Sequence, residues 1–593
     1  MFDDNIEEFQ EWLAENELQV RDTKEYGNGY LINLKQCPFS NEHTDGAYIF
    51  FKPKHIVARC HHDSCKKNNV SWNQLYFAKT GKKHNTKDKR ILESKNNGDK
   101  NVSLINVLEE AFDNNILEAF RDEYNTIYCR YYDKKNDTYS IYELHSYELR
   151  LIIQKLMVKV GMLLKTNDMN KPLDYIAIKA YENDRIKKIH KRFCTINDKH
   201  ILYELNPNMV ASIKDGKVEV LKNKDIVFKH DKSYSGQVMI NPQDEVKDYK
   251  KLLKYIKRFF NFANDKDVAL FAIYLCVAFT SDKTPMPLIL VSSEKGSAKS
   301  TMARFFETIL EPKNLDLCSI PTDRDGLYMR LSNSAVCCFD NLSYIKADTS
   351  DILCRAVTNG TQTRRTLYEN SHETTFNLKS IVMINGTSPL IFAEDLLDRT
   401  IQFNLTRITA DKMITEKELN NQFNKELPNI LLLCMNIIGQ AMLDDEPVDM
   451  KNSIRLADFY VYAVKVGKVL GYKQSYVDSL FTHNAKKIND QLLDENTVGK
   501  ALLIFMEYRK EYEAPYAELY KELKRVAMDN KLDTTSNGFP TAVNSLSRRI
   551  NAIQSNLRDC GLEIFVTSTR TCKIIKIINN KSKRDKLTIV DEV

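Results

Sequence analysis

A short segment of small and polar residues has the composition needed to bind the phosphates of a nucleotide. Residues 293–301 read Ser-Glu-Lys-Gly-Ser-Ala-Lys-Ser-Thr, after an apolar run at 286–291 and before a helical pattern at 300–309. Small residues let backbone N–H groups close around phosphate oxygens, and a helix start adds the positive end of its dipole. The segment therefore predicts a phosphate-binding loop.

Two side chains of this loop have the chemistry for a Mg²⁺–ATP complex. We expect Lys299 to neutralise the β and γ phosphates and Ser300 to offer its hydroxyl to Mg²⁺. The pattern G-x-x-x-x-G-K-[ST] is incomplete, because Ser293 and Ala298 stand where it has glycines. A Lys/Ser-rich turn without ligand is the alternative. The predicted nucleotide contacts are Gly296, Ser297, Ala298, Lys299, Ser300 and Thr301.

A second apolar run, at 335–339, ends in a carboxylate at Asp340. This residue is predicted to hold Mg²⁺ through water and to act in catalysis. Most motors with such a strand have a glutamate next, which polarises the attacking water, but here the residue is Asn341. The catalytic base therefore stays open: Asn341 orients a water, or a glutamate such as Glu369 or Glu373 is brought in.

Further along the chain, one amide and two guanidinium groups are candidates for contacts with the γ-phosphate. Asn385 ends a third apolar strand and is predicted to position the lytic water. Arg399 follows a short helix and is predicted to reach the γ-phosphate of a neighbouring subunit. The alternative is that Arg399 pairs with Asp395 or Asp398. Arg455, in the following helical region, is the candidate for a second nucleotide-sensing arginine.

Two polar segments, 361–368 and 374–379, flank a turn at 369–373 and predict a β-hairpin. Such a hairpin would carry Arg364, Arg365 and Lys379 to the phosphate backbone of single-stranded DNA. A solvated hairpin without DNA contact is the alternative.

The N-terminal region contains a set of residues suited to tetrahedral Zn²⁺. The predicted ligands are Cys37, His43, Cys60 and Cys65, which form two pairs of N or S donors. Because two further histidines follow Cys60, either His61 or His62 could replace one of these ligands.

Basic residues are concentrated near the C-terminus. Residues 540–587 contain ten Lys or Arg against three acids, a net charge of +7. Helical patterns at 514–530 and 541–560, with Arg548 and Arg549 on the second, precede strands at 562–568 and 572–578 that join around Arg570. This order predicts a winged helix-turn-helix that binds DNA. A merely solvated basic face is the alternative.

The elements around these residues predict a multidomain α/β protein. Strands alternate with helices from 286 to 384, which indicates a parallel sheet. Short strands at 201–205, 209–213, 218–220 and 226–228 predict a meander upstream, and helices dominate from 412 to about 511. The predicted organisation is a zinc-binding module (1–79), a linker (80–101), an α+β domain (102–244), an ATPase core (245–410), a helical lid and connector (411–505), a winged-helix domain (506–580) and a basic tail (581–593).

The composition and the lengths of the apolar runs predict no transmembrane helix. The chain has 593 residues, 28% of them charged, and its longest apolar run, 268–280, is shorter than the roughly 20 residues of a membrane span. The N-terminus is acidic and lacks a secretory signal. Thirteen cysteines, an odd and scattered number, indicate reduced thiols. We therefore expect a cytoplasmic protein.

Taken together, these motifs resemble those of AAA+ MCM-like, self-loading replicative helicases, the primase-helicase-like Rep proteins of phages and staphylococcal mobile elements. The resemblance implies an AAA+ P-loop core with a helical lid, in which Asn385 is the sensor-1 residue and Arg455 the sensor-2 residue. It also implies a homo-hexamer that threads DNA and needs ATP, Mg²⁺ and Zn²⁺. The motifs that carry it are Cys37-Pro with His43 and Cys60-x-His62-x2-Cys65, Tyr203-Glu-Leu, Phe339-Asp-Asn-Leu-Ser, Asp395-Leu-Leu-Asp-Arg-Thr and Asn544-Ser-Leu-Ser-Arg-Arg.

The predicted function is ATP-dependent unwinding of DNA for replication of a mobile element or phage. The DNA partner would be single-stranded or forked, with origin duplex as a further candidate, and a primase or polymerase is a candidate protein partner. One alternative is an AAA+ initiator or helicase loader that binds an origin without unwinding, and another is a primase accessory that uses ATP only structurally. Since no clear Asp-x-Asp pair lies between 100 and 240, we expect no primer synthesis.

Overall fold

A computed structural model gives the fold in two compact units, 1–103 with 159–162, and 104–158 with 163–593. We describe each unit by itself. The described residues are 6–26, 29–40, 46–52, 55–62, 65, 72–80, 104–182, 186–223, 225–244, 248–342, 345–358, 360–365, 373–386, 394–409, 413–535, 539–568 and 573–581.

The first unit contains a four-stranded antiparallel sheet in the order β1-β2-β3-β4. Strand β3 alternates buried and half-buried residues, as a strand with one face on a core should. That core is aromatic: the rings of Phe9 and Phe51 stack at 4.5 Å, and Trp12 stacks on Tyr76 at 5.5 Å. The elements are α1 (Ile6–Glu15), β1 (Val20–Tyr26), β2 (Gly29–Leu34), β3 (Ala47–Lys52), β4 (His55–Cys60) and α2 (Trp72–Thr80).

The second unit begins with a mixed region in which the predicted meander is confirmed. Strands β9 to β12 form one antiparallel sheet, whereas β13 leaves it to pair in parallel with β8. The elements are α3 (Leu104–Asp113), β5 (Leu117–Arg121), β6 (Ile127–Asp133), β7 (Thr138–Glu143), α4 (Tyr147–Lys159), α5 (Asn170–Glu182), β8 (Ile189–His190), β9 (Phe193–Asn197), β10 (His200–Asn206), β11 (Met209–Lys214), β12 (Lys217–Lys222) and β13 (Val227–Phe228).

A four-stranded parallel sheet, which we call the motor sheet, follows in the order β15-β18-β14-β19. Its strands are apolar and almost continuously buried, because helices cover both faces of a parallel sheet. The elements are α6 (Lys251–Phe259), α7 (Asp265–Val277), β14 (Leu288–Ser292), α8 (Lys299–Leu310), α9 (Arg324–Asn333), β15 (Val336–Leu342), α10 (Ala347–Val357), β16 (Thr361–Arg365), β17 (Glu373–Asn377), β18 (Ile381–Gly386), α11 (Glu394–Leu397) and β19 (Thr400–Asn404).

A buried ion cluster connects the end of α8 to the start of β15. The ammonium of Lys313 lies 2.9 Å from a carboxylate oxygen of Glu307 and 3.2 Å from one of Glu311. Glu311 in turn accepts backbone N–H bonds from Ala335 and Val336, at 3.0 and 2.8 Å. These bonds fix the first residues of β15 relative to α8.

Four helices follow the motor sheet, as the sequence predicts for this region. No helix in the described part of the chain is long and apolar enough to cross a membrane. The helices are α12 (Glu416–Ala441), α13 (Ala457–Val469), α14 (Gln474–Glu495) and α15 (Thr497–Met506).

The C-terminal region contains a three-stranded antiparallel sheet in the order β20-β22-β21, which packs with α15 and the later helices around its own core. Two predictions about its elements are wrong. The single helix expected at 541–560 breaks at Ile553, whose φ of −122° and ψ of 14° are not helical. A strand, β20, also begins where helix was expected to end. The elements are β20 (Glu511–Pro515), α16 (Tyr516–Asp529), α17 (Val543–Ala552), α18 (Gln554–Asp559), β21 (Leu562–Ser568) and β22 (Lys573–Asn579).

Candidate functional site

The predicted phosphate-binding loop lies between β14, a central strand of the motor sheet, and α8. Its backbone uses left-handed conformations at Gly296, with φ of 79°, and at Ala298, with φ of 64°. Glycine adopts this region freely, whereas alanine is disfavoured there by about 1–2 kcal/mol. Ala298 therefore has the conformation that explains why the general pattern has a glycine at its position.

Polar groups of the loop bond to each other. The ammonium of Lys299 donates to the carbonyl oxygens of Ser293 and Glu294, at 2.7 and 2.9 Å. The hydroxyls of Ser293 and Ser297 lie 2.6 Å apart, and Ser297 also donates to the Glu294 carbonyl at 2.9 Å. Burial lowers the pKa of Lys299, and the nearby carboxylate of Asp340 partly opposes that shift. The loop lysine and the predicted magnesium ligand thus share one electrostatic environment.

Asp340 and Asn341 lie at an irregular end of β15, where the register to β18 shifts between Phe339 and Leu342. Asn341 has a left-handed backbone, with φ of 59°, and its N–H donates to Oδ1 of Asn385 at 2.9 Å. Asn385 is 1% exposed, and its Nδ2 has no hydrogen-bond partner among the described residues. The structure therefore brings these predicted residues together at the carboxyl ends of adjacent strands.

Both predicted nucleotide-sensing arginines bind α11 and the turn after it. Arg399 lies 2.5 Å from a carboxylate oxygen of Asp395, and Arg455 lies 2.8 Å from the same oxygen. Arg455 also contacts Asp398 at 3.2 Å. The hydrogen bond from Arg399 lowers the pKa of Asp395. In this conformation Arg399 makes the intramolecular pair that the sequence left as an alternative.

The predicted hairpin is confirmed: β16 and β17 pair antiparallel, with Arg364 opposite Thr374 and Arg365 opposite Glu373. The side chains of Arg364 and Arg365, and Glu369 as a whole, lie outside the described residues.

Lys379 lies beyond the end of β17, so the structure does not place it on the hairpin strands. Its ammonium donates to the backbone carbonyl of Asp282, and burial lowers its pKa to about 8.

In the N-terminal unit, Cys37, Cys60 and Cys65 are buried, and their sulfur atoms all lie within 4.8 Å of one another. Nδ1 of His62 lies 3.2 Å from Sγ of Cys60. His43 lies outside the described residues. Three sulfur donors at this spacing could bind a metal ion, with His62 as the described histidine nearest to them.

In the C-terminal region, Arg548 is exposed on α17 and Arg549 is half-buried, whereas Arg570 lies outside the described residues. Lys576 on β22 pairs with Glu511 and with Glu513 of β20, so its charge is neutralised within the sheet. Strand β21 is an edge strand, and its residues from Phe565 to Ser568 are exposed. Arg548 of α17 is thus one of several exposed basic residues in this region, with Arg558 of α18 and Lys573 at the start of β22.

Asn341 has a structural role that the sequence analysis missed, because its main-chain N–H orients Asn385. An asparagine after a strand-ending aspartate was the available signal, since asparagine is one of the few residues that tolerate a left-handed backbone.

Two family models match the chain. Residues 253–484 match the replication protein of an actinomycete integrative conjugative element, AICE RepA, and residues 498–587 match the C-terminal domain of AICE RepA. The chain is similar to mobile-element replication proteins. This similarity confirms the prediction of a mobile-element replication protein over residues 253–484 and 498–587.

Searches of curated proteins give no match. Among solved structures, the fold is similar to two apo structures of the NrS-1 C-terminal region. Each shares 12% sequence identity with a TM-score of 0.35, and the matches cover 80% of this chain and 99% and 98% of those chains.

Proposed function

We propose that this chain is an ATP-dependent DNA helicase that acts in replication of a mobile element as a homo-hexameric ring of AAA+ subunits. The observation that carries the proposal is the placement of Lys299 after β14, and of Asp340 and Asn385 near the carboxyl ends of β15 and β18, in three adjacent strands of one parallel sheet. Ligands of an open α/β sheet bind outside the carboxyl ends of its strands. The similarity to replication proteins supports DNA as the polymer on which ATP hydrolysis acts.

In this mechanism the loop binds the triphosphate and Lys299 exchanges the carbonyls of Ser293 and Glu294 for phosphate oxygens. Ser300 and Asp340 would hold Mg²⁺, which neutralises charge on the phosphates when bound. Asn385 orients a water toward the γ-phosphorus, because its oxygen is occupied by Asn341 and its NH₂ remains available. A bond forms from the water oxygen to phosphorus, the bond to the bridging oxygen breaks and leaves ADP, and the protons of the water pass to the released phosphate and to solvent.

Asn341 acts in this scheme through its backbone. A left-handed residue at this point directs its N–H to Asn385, and asparagine tolerates that conformation better than glutamate does. The usual glutamate is therefore exchanged for a residue that holds the neighbouring amide in position.

DNA contacts are assigned to two basic elements. Arg364 and Arg365 lie on β16 of the hairpin, which the proposal places in the central pore. Arg548 and Arg549 lie on α17 in the C-terminal region, which we interpret as a winged helix with Arg570 in its wing.

We also assign structural Zn²⁺ to the N-terminal unit. Cys37, Cys60 and Cys65 would be three of its ligands, with His43 or His62 as the fourth, because Zn²⁺ prefers four N or S donors in a tetrahedron. Metal analysis of purified protein should give about one zinc per chain, and Cys60→Ser should lose it.

The test of the main proposal uses full-length protein, Lys299→Ala as the inactive variant and Lys295→Ala as a control on the same loop. We expect DNA-stimulated ATP hydrolysis and unwinding of forked DNA by wild type and by the control. Lys299→Ala should lose both activities while it still binds DNA. ATP hydrolysis without any unwinding would favour the initiator or loader, and so would unwinding that survives Arg364→Ala with Arg365→Ala.

A further inference from the structure

The segment between the hairpin and β18, residues 377–380, is held by several hydrogen bonds, and we call it the hairpin base. The N–H of Leu378 donates to the carbonyl of Gly360 at 3.1 Å, which closes the hairpin. The hydroxyl oxygen of Ser380 lies 2.7 Å from the carbonyl oxygens of both Leu331 and Ser334, and its one proton is shared between them. Strand β18 then leads directly from Ser380 to Asn385. The hairpin base is therefore the mechanical link between the nucleotide site and the hairpin.

A lysine from the upstream region reaches this link. Lys191 lies between β8 and β9, and its ammonium donates to the carbonyl oxygens of Leu331 at 2.5 Å, Asn377 at 3.4 Å and Lys379. The hydroxyl of Ser380 lies 3.4 Å from the same nitrogen. Burial lowers the pKa of Lys191 to about 7, and the protonated form has three N–H donors, which match the three carbonyl oxygens.

A cavity of about 270 Å³ borders this contact, with Lys191, Asn377, Lys379 and Ser380 in its wall. Lys188 and His190 also line this cavity and contact a different residue. The carboxylate of Asp282 lies 3.3 Å from the ammonium of Lys188 and 3.2 Å from Nδ1 of His190. Lys188 therefore offers a matched control, because it belongs to the same cavity but contacts Asp282 and not the hairpin base.

We propose that Lys191 is a positioning residue that anchors the hairpin base to the upstream region, so that movement of β18 during ATP hydrolysis is passed to the hairpin. This inference rests on the proposed helicase function. A buried, extended strand shifts as a unit, so a displacement at Asn385 reaches Ser380 almost undiminished. The hairpin moves with β18 only if the hairpin base is held in place. When the ammonium of Lys191 is absent, water from the cavity takes its place at the carbonyl oxygens, and the hairpin base moves independently of β18.

The first experiment compares wild type, Lys191→Met and Lys188→Met as full-length proteins. Water can reach the vacated carbonyls through the cavity, so we expect Lys191→Met to fold and to keep basal ATP hydrolysis within about twofold of wild type. Its DNA-stimulated hydrolysis and its unwinding of forked DNA should fall by about tenfold or more. Lys188→Met should retain both activities. Unwinding by Lys191→Met within about twofold of wild type would overturn the proposal.

Hydrogen exchange gives a readout that does not depend on activity. Amides of the hairpin base and of β17 should exchange faster in Lys191→Met than in wild type, and at the wild-type rate in Lys188→Met. Lys191→Gln, which keeps an N–H donor, should lie between them if Lys191→Met is poorly folded. Unchanged exchange at residues 373–380 would refute the anchoring. If wild type hydrolyses no ATP, the proposed function fails, and the exchange data still decide whether Lys191 anchors the base.

Discussion

The motor sheet and the C-terminal sheet present polar residues in opposite ways. In the motor sheet the strands are buried, and the predicted site residues Asp340 and Asn385 lie near the carboxyl ends of β15 and β18, where Asn385 is 1% exposed. In the C-terminal sheet the edge strand β21 is exposed from Phe565 to Ser568, and Arg548 lies on an exposed helix face. The motor sheet holds its polar side chains in fixed positions by burial, whereas the C-terminal region leaves charged side chains exposed to solvent.

The two regions should therefore differ in how strongly a single substitution affects them. Positioning by buried hydrogen bonds makes single changes in the motor sheet severe, since a buried partner left unsatisfied loses its full interaction. Charge on an exposed surface is shared among several residues and screened by salt, so single changes there are mild.

The largest effect is expected at Arg399. If Arg399 reaches a neighbouring subunit, Arg399→Ala should lower kcat for ATP hydrolysis by about 10³-fold, because an arginine stabilises charge in the transition state. Asp395→Ala removes the carboxylate that Arg399 shares with Arg455 but keeps both guanidinium groups, and it should keep hydrolysis. Steady-state ATPase assays of both variants decide the point. Equal losses in the two variants would indicate that the pair with Asp395 is the role of Arg399.

Arg548→Ala with Arg549→Ala should weaken DNA binding by about tenfold at moderate salt, and should lower the salt dependence of log Kd by about two. Basal ATP hydrolysis should not change, because these residues lie far along the chain from the motor sheet. Fluorescence anisotropy at several salt concentrations measures both quantities. An unchanged salt slope would contradict phosphate contacts by α17.

Substitutions of Asn341 test whether its backbone N–H or its side-chain amide positions the attacking water. Asn341→Gly keeps the N–H and the left-handed conformation, so hydrolysis should stay within about twofold of wild type. Asn341→Ala should lower stability by about 1 kcal/mol because alanine resists this conformation. Melting curves measure the change in stability, and ATPase assays measure the rate of hydrolysis. Loss of hydrolysis by a folded Asn341→Gly would mean that the side-chain amide acts on the water.

The smallest effect is expected at Ala298. Ala298→Gly relieves the left-handed strain of alanine but adds freedom to the unfolded chain, so the net gain should be less than about 1 kcal/mol. Thermal melting should show a rise of a few degrees or less. A lower melting temperature would show that the methyl group of Ala298 makes a stabilising contact.

The sequence predicts β14, β15 and β18 because each begins as an apolar run ended by a polar residue, whereas β19 has Gln402 at its centre and was missed. It predicts Asp340 and Asn385 for the same reason. The helix break at Ile553 escapes this reasoning, since isoleucine is no helix breaker and Gln554 donates to the distant carbonyl of Ile564. Lys191 escapes it too, because its contacts join residues between 140 and 189 positions apart, and no local pattern marks them.

The ion cluster of Lys313, Glu307 and Glu311 limits which substitutions the protein can tolerate at these three positions. Loss of one member leaves buried charge without compensation, at about 3–5 kcal/mol, whereas replacing all members by apolar residues of similar volume is often tolerated. Single substitutions at these positions should therefore be purged by selection. Homologous chains are expected to keep the whole set or to have exchanged it together.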